Sequence, residues 1–250
     1  MGGATSLLTR RRAAALAALL VALVAYGAGA RHLPGLPSGL DAAFHALVVF
    51  PAFAAAIWLA LPVWRAGTRT VLVLAVTAGI LAVGCSLLDV ESVANVAKLA
   101  CYALFGFWFL TLFEELWWLT LVAALVPWVD IWSVAAGPTE YVVEERPGIF
   151  ESVAIAFPNP GESATVNLGP PDVVFFALFL AAAERFGLRV GATWVGMTAC
   201  LAATLALVWS WESVAGLPAL PAVCLGFLIP NADLLWKDVR RLRSGPTESS

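Results

Sequence analysis

The sequence predicts an all-α polytopic membrane protein of about eight transmembrane helices, with a small β-hairpin in the loop between the fifth and sixth. Three observations carry that prediction. Of 250 residues, 61% are hydrophobic and 12% charged, against about half and about a quarter in a soluble domain. The mean hydropathy of +0.89 leaves more apolar surface than a water-soluble fold of this size can hide, so lipid must solvate much of it. The apolar residues are also gathered into runs near the ~20 residues that cross ~30 Å of hydrocarbon.

Eight runs qualify, at roughly 13–30, 43–64, 70–88, 94–112, 116–135, 170–188, 190–210 and 213–235. The first follows Arg10, Arg11 and Arg12 and has the look of a signal peptide. Its length exceeds the usual apolar core of such a peptide, and Ala28-Gly29-Ala30 is a weak cleavage site, so a retained span is expected. Only Glu114 and Glu115 separate the fourth and fifth runs, which predicts a tight helical hairpin. The longest interruption, 136–169, is acidic, with Glu140, Glu144, Glu145, Glu151 and Glu162 against Arg146. Two extended-looking stretches inside it, 141–144 and 152–157, flank Pro147-Gly148 and predict a small hairpin turning there. Gly216-Leu217-Pro218-Ala219-Leu220-Pro221 interrupts the start of the last run, and residues 244–250 read as a disordered tail. The whole chain reads as one membrane domain: a four-helix part (13–112), a helix pair with its loop (116–188) and the closing helices (190–236).

Lys and Arg in short loops favour the cytoplasmic side. With the N-terminus inside, the inner loops collect Arg10, Arg11, Arg12, Arg65, Arg69, Arg185, Arg189, Lys237, Arg240, Arg241 and Arg243, eleven of the fourteen basic residues. An even number of spans is required, both termini are expected in the cytoplasm, and the 136–169 loop faces outward. A plasma membrane, with prokaryotic-looking composition, is the expected location. The net charge of −3 gives no basic footprint for nucleic acid. The cysteines Cys85, Cys101, Cys200 and Cys224 are scattered one per run without CxxC spacing, so neither disulfides nor a metal centre is expected. His32 and His45 are too few and too early for a His-rich metal site, there is no HExxH, and no cofactor is implied.

Most of the seventeen acids lie in loops or at the ends of runs. Asp130 lies inside one, in Val126-Pro127-Trp128-Val129-Asp130-Ile131-Trp132, where an ionised carboxylate costs on the order of 3 kcal/mol and a functional role is the default reading. Asp172 follows Gly169-Pro170-Pro171 and opens the next run; an ordinary place in a first helical turn competes for it. At 1.5 Å per residue Asp130 is ~9 Å from the outer end of its helix, and Asp172 starts the next, antiparallel one. Similar depth is expected. Two carboxylates that close do not both ionise comfortably, so one keeps a proton and the pair becomes an acid and a base flanking one water. The prolines at 218 and 221 loosen a third segment on the same side, which is tolerated at membrane depth only beside protein or a water-filled cavity.

In order and spacing, Val129-Asp130, Gly169-Pro170-Pro171-Asp172 and Leu217-Pro218-Ala219-Leu220-Pro221 resemble the presenilin and signal peptide peptidase group of GxGD-type intramembrane aspartyl proteases. The likeness spans about 115–236. Pro171 stands where the group has its second glycine, and Val129 where it has an aromatic residue. The group usually has nine spans, one more than is counted here. The resemblance implies that Asp130 and Asp172 are catalytic and that Gly169, Pro218, Ala219 and Leu220 bind substrate. It further implies single-span transmembrane peptides or signal-peptide remnants as substrates, and a loop hairpin that pairs with an unwound substrate strand. A catalytically silent relative, or a transporter using the same acids, is the alternative.

Overall fold

The structure is a computed structural model that describes residues 8–136, 152–162, 165–210 and 219–243. Helix α1 (Arg10–Gly29) leads to a composite span: α2 (Ser38–Phe44) continues through a π-helical turn (His45–Val49) into α3 (Phe50–Ala60) and ends as a 3-10 helix (Leu61–Ala66). Then follow α4 (Thr68–Leu87), α5 (Glu91–Phe109), α6 (Leu116–Ala136), β1 (Ile155–Pro158), β2 (Thr165–Leu168), α7 (Pro170–Arg185), α8 (Val190–Ser210) and α9 (Leu220–Arg243). Each of the eight apolar runs therefore holds a helix. Six helical stretches of the described residues are long and apolar enough to cross a membrane: Arg10–His32, Gly39–Ala66, Thr68–Leu87, Glu91–Leu112, Leu116–Ser133 and Val190–Leu207. Helix α7, at 16 residues, is shorter, and α9 carries Asn231, Asp233 and Lys237 in its second half.

Helix α7 is the centre of the molecule. Val173 and every residue from Phe176 to Ala183 have no exposed surface. A helix that is apolar all round and enclosed by others needs no polar face. Neighbours α5, α8 and α9 supply the enclosure. Gly106 makes the α5 crossing possible: a Cβ there would lie 2.4 Å from the Val174 carbonyl oxygen. The α8–α9 crossing is built the same way, since a Cβ on Gly226 would lie 2.4 Å from the Met197 backbone. Small residues let helix backbones approach where lipid offers no hydrophobic drive between helices.

Polar contacts then fix the two ends. At one end Arg12 donates to the carbonyls of Trp58 and Leu59, Arg65 pairs with Glu184 at 2.9 Å, and Arg185 donates to the Leu110 carbonyl. Buried Asn231 donates to Thr193 and Phe227 and accepts from the Arg189 N–H, tying α9 to the start of α8.

The hairpin sits at the other end, but its strands differ from those expected. Ile155–Pro158 pairs antiparallel with Thr165–Leu168, so the chain reverses after Pro160-Gly161 rather than at Pro147-Gly148. The 141–144 stretch and the Pro147-Gly148 turn lie outside the described residues. Gly161, at φ +73, comes so near Gly35 that a Cβ would lie 2.4 Å from the Gly35 nitrogen. Its N–H donates to the Ala30 carbonyl. Tyr26 donates to the Pro158 carbonyl at 2.5 Å, Lys98 to Ala154 and Tyr102 to Val153, while the Asn95 side chain accepts from Ala156. Phe157 meets Phe50 and Phe53 edge-on. The strands are short, and these anchors hold them.

A second expectation also changes. Glu114–Glu115 joins α5 to α6 closely, yet α6 turns from α5 and packs chiefly on α9. Antiparallel neighbours in sequence are not neighbours in packing here, because α7 already fills the groove beside α5.

Candidate functional site

Asp130 is carried by a helix with little protein around it. Around Asp130, Leu125, Trp128, Val129 and Trp132 are 53%, 73%, 62% and 61% exposed, the surface of a span that faces lipid. Asp130 itself is half-buried, on the side of α6 that meets α9. Its Oδ2 accepts the N–H of Leu220 at 3.3 Å. That N–H belongs to the first residue of α9, where no residue one turn back within the helix can take it. Pro127, three residues before Asp130, has no N–H to give the carbonyl one turn back and loosens this part of α6.

Asp172 is placed by the opposite means. Gly169 is the extended residue before α7, Pro170 and Pro171 open its first turn, and Asp172 falls in that turn. Proline suits these positions because their N–H groups have no partner within the helix. The Gly169 N–H faces the Asp172 carboxylate. A side chain at 169 would crowd it, since a Cβ there would sit 3.2 Å from Asp172 Oδ2. The next turn, Val174 to Leu178, rests in the Gly106 notch of α5. The site acid is thus fixed through a helix that cannot shift without opening the core.

The structure brings the predicted acids together. Asp130 and Asp172 lie within electrostatic reach of one another, and both are half-buried rather than sealed. Leu220 is buried and Ala219 half-buried beside them at the start of α9; Pro218 lies outside the described residues. Their common neighbourhood therefore combines two carboxylates, two helix N-termini and the apolar lining of α9.

Sequence reasoning missed some participants. Cys224, wholly buried one turn beyond Leu220, is also within electrostatic reach of Asp130; its four-residue spacing from Leu220 was the available signal. The Leu220 N–H is a backbone group that composition does not reveal. Lys98, buried and bound to Ala154, was legible as a lone cation in an apolar run. All four cysteines are free thiols. Among the described residues no group of three His, Cys, Asp or Glu side chains is arranged to hold a metal ion.

No family model, curated protein or solved structure matches the chain.

Proposed function

We propose that this protein is an intramembrane aspartyl protease of the presenilin and signal peptide peptidase type, hydrolysing peptide bonds of single-span transmembrane segments or signal-peptide remnants. One observation carries the reading: the Asp130 carboxylate, bonded to the first N–H of α9, lies within electrostatic reach of Asp172. Two carboxylates sharing one proton need neither metal nor cofactor to cleave an amide. The ionised member takes a proton from water as its oxygen attacks the scissile carbonyl. The protonated member gives its proton to the carbonyl oxygen. Collapse of the resulting tetrahedral diol breaks the C–N bond: the proton held by the first carboxylate passes to the leaving nitrogen, and one diol hydroxyl returns its proton to the second carboxylate as the new carbonyl forms. Gly169, Ala219 and Leu220, together with Pro218 by the resemblance alone, are assigned to substrate binding, about eight spans put both termini in the cytoplasm, and the hairpin faces outward.

The test is cleavage of a labelled transmembrane peptide by the purified chain. Asp130→Asn and Asp172→Asn should each lower the rate about 10²–10⁴-fold, and a hydroxyl-bearing transition-state mimic should block the wild type. Wild type that cuts none of several peptides between about pH 4 and 8 defeats the proposal and favours the silent relative or transporter, for which Pro171 in place of the second motif glycine is the supporting feature. Orientation is tested separately. In a cysteine-free background, Glu162→Cys should react with an impermeant thiol reagent in intact cells; reaction only after lysis reverses the topology.

A further inference from the structure

Five arginines lie at the end of the molecule away from the hairpin. Arg10, Arg11 and Arg12 open α1, Arg65 lies in the 3-10 turn that ends the second span, and Arg69 lies in the first turn of α4. Arg12 is within electrostatic reach of both Arg65 and Glu184, which places the start of α1 beside the end of the second span and the end of α7, and only Gly67 separates that span from α4. Glu184 is the one acid among them, and it is already engaged by Arg65 and by the Trp64 indole N–H. Arg12 is spent on the Trp58 and Leu59 carbonyls. Arg10, Arg11 and Arg69 are exposed and have no acidic partner among the described residues. Elsewhere at this end Arg189 has its acid, in the forked pair with Asp233.

The backbone adds to the imbalance. Neither α1 nor α4 has an acid in its first turn, and α4 starts at Gly67 with no side-chain cap. Two helix N-termini, joined through the end of the second span, therefore present partial positive charge at the same end of the molecule. Below the corner, the outward faces of α1 and α4 are apolar, with Val21, Val73, Val76 and Ile80 between 53% and 69% exposed. A ligand that fits is anionic at its head and hydrocarbon below.

We infer that the corner formed by the starts of α1 and α4 and the end of the second span binds the phosphate headgroup of an anionic phospholipid, with the acyl chains along α1 and α4. Arg10, Arg11 and Arg69 hold the phosphate, and the site is independent of the proposed protease activity. Basic pockets between spans are a recurrent means of capturing such headgroups.

The test follows thermal unfolding of the full chain in neutral detergent while phosphatidylglycerol or phosphatidylcholine of the same acyl composition is added. Phosphatidylglycerol should raise the midpoint well beyond phosphatidylcholine, and inorganic phosphate should not. The variant Arg10→Gln/Arg11→Gln/Arg69→Gln should keep the detergent midpoint and lose the increment, its apparent affinity falling about fivefold per arginine. Arg69→Gln alone carries the test if the triple variant does not fold. Equal effects of the two lipids, an increment retained in the variants, or the same increment from inorganic phosphate would each overturn the site.

Discussion

Helices α6 and α7 each bring one carboxylate to the same place, and they do so under opposite conditions. Helix α7 is enclosed, with Val173 and Phe176 to Ala183 fully buried and its first turns lodged against Gly106. Helix α6 lies at the edge, touching α7 lightly and leaning on α9. Asp172 therefore belongs to the rigid core, whereas Asp130 is positioned by a helix whose main protein contact is a single neighbour and by one N–H from Leu220. The two halves of the site answer to different forces: packing for one acid, a hydrogen bond and a helix–helix seam for the other. Under the proposed activity, a substrate entering from lipid would meet the α6 side first, where Leu125, Trp128, Val129 and Trp132 are exposed.

The contrast can be broken by substitution. The largest expected loss is on α7, where Phe176→Ala should cost about 3–5 kcal/mol in unfolding from mixed micelles; a loss no greater than that from an α6 substitution would erase the distinction. Next is Gly106→Ala. Its Cβ would be driven into the Val174 carbonyl, costing about 1–3 kcal/mol and lowering cleavage with it, because Asp172 rides on the displaced turn. Gly84→Ala is the control: nothing lies within 4 Å of its Cβ, so it should be neutral or gain up to about 1 kcal/mol. Tyr26→Phe, which removes the hydroxyl bonded to Pro158, should cost about 0.5–1.5 kcal/mol, read as earlier proteolytic nicking of the hairpin. The smallest effect belongs to α6, where Trp128→Ala, at a residue 73% exposed, should stay within about 0.5 kcal/mol.

The apolar runs were legible because solvation by lipid is a property of composition, and it left its mark on the length of each run. Asp130 was legible for the complementary reason: a charge among Val126, Pro127, Trp128 and Ile131 has no bland explanation. The central place of α7 was not. A lipid-facing helix and a fully enclosed one are equally apolar, so neither has a polar stripe to report which way it looks. Nor was the true partner of β1. Thr165-Val166-Asn167-Leu168 is short and half polar, and it pairs because Tyr26, Asn95, Lys98 and Tyr102 hold β1 from elements far away in sequence.

The length of α7 has a consequence for water. Sixteen residues rise about 24 Å, several ångström less than the ~30 Å of hydrocarbon around a span. A helix standing free in lipid would meet that shortfall by tilting or by pinching the bilayer. Walled in by α5, α8 and α9, α7 has no lipid boundary to match, and Gly169 and strand β2 lead directly into the first turn, where Asp172 sits. Under the proposed hydrolysis, water would reach Asp172 from this end of the helix, beside the hairpin, rather than across hydrocarbon.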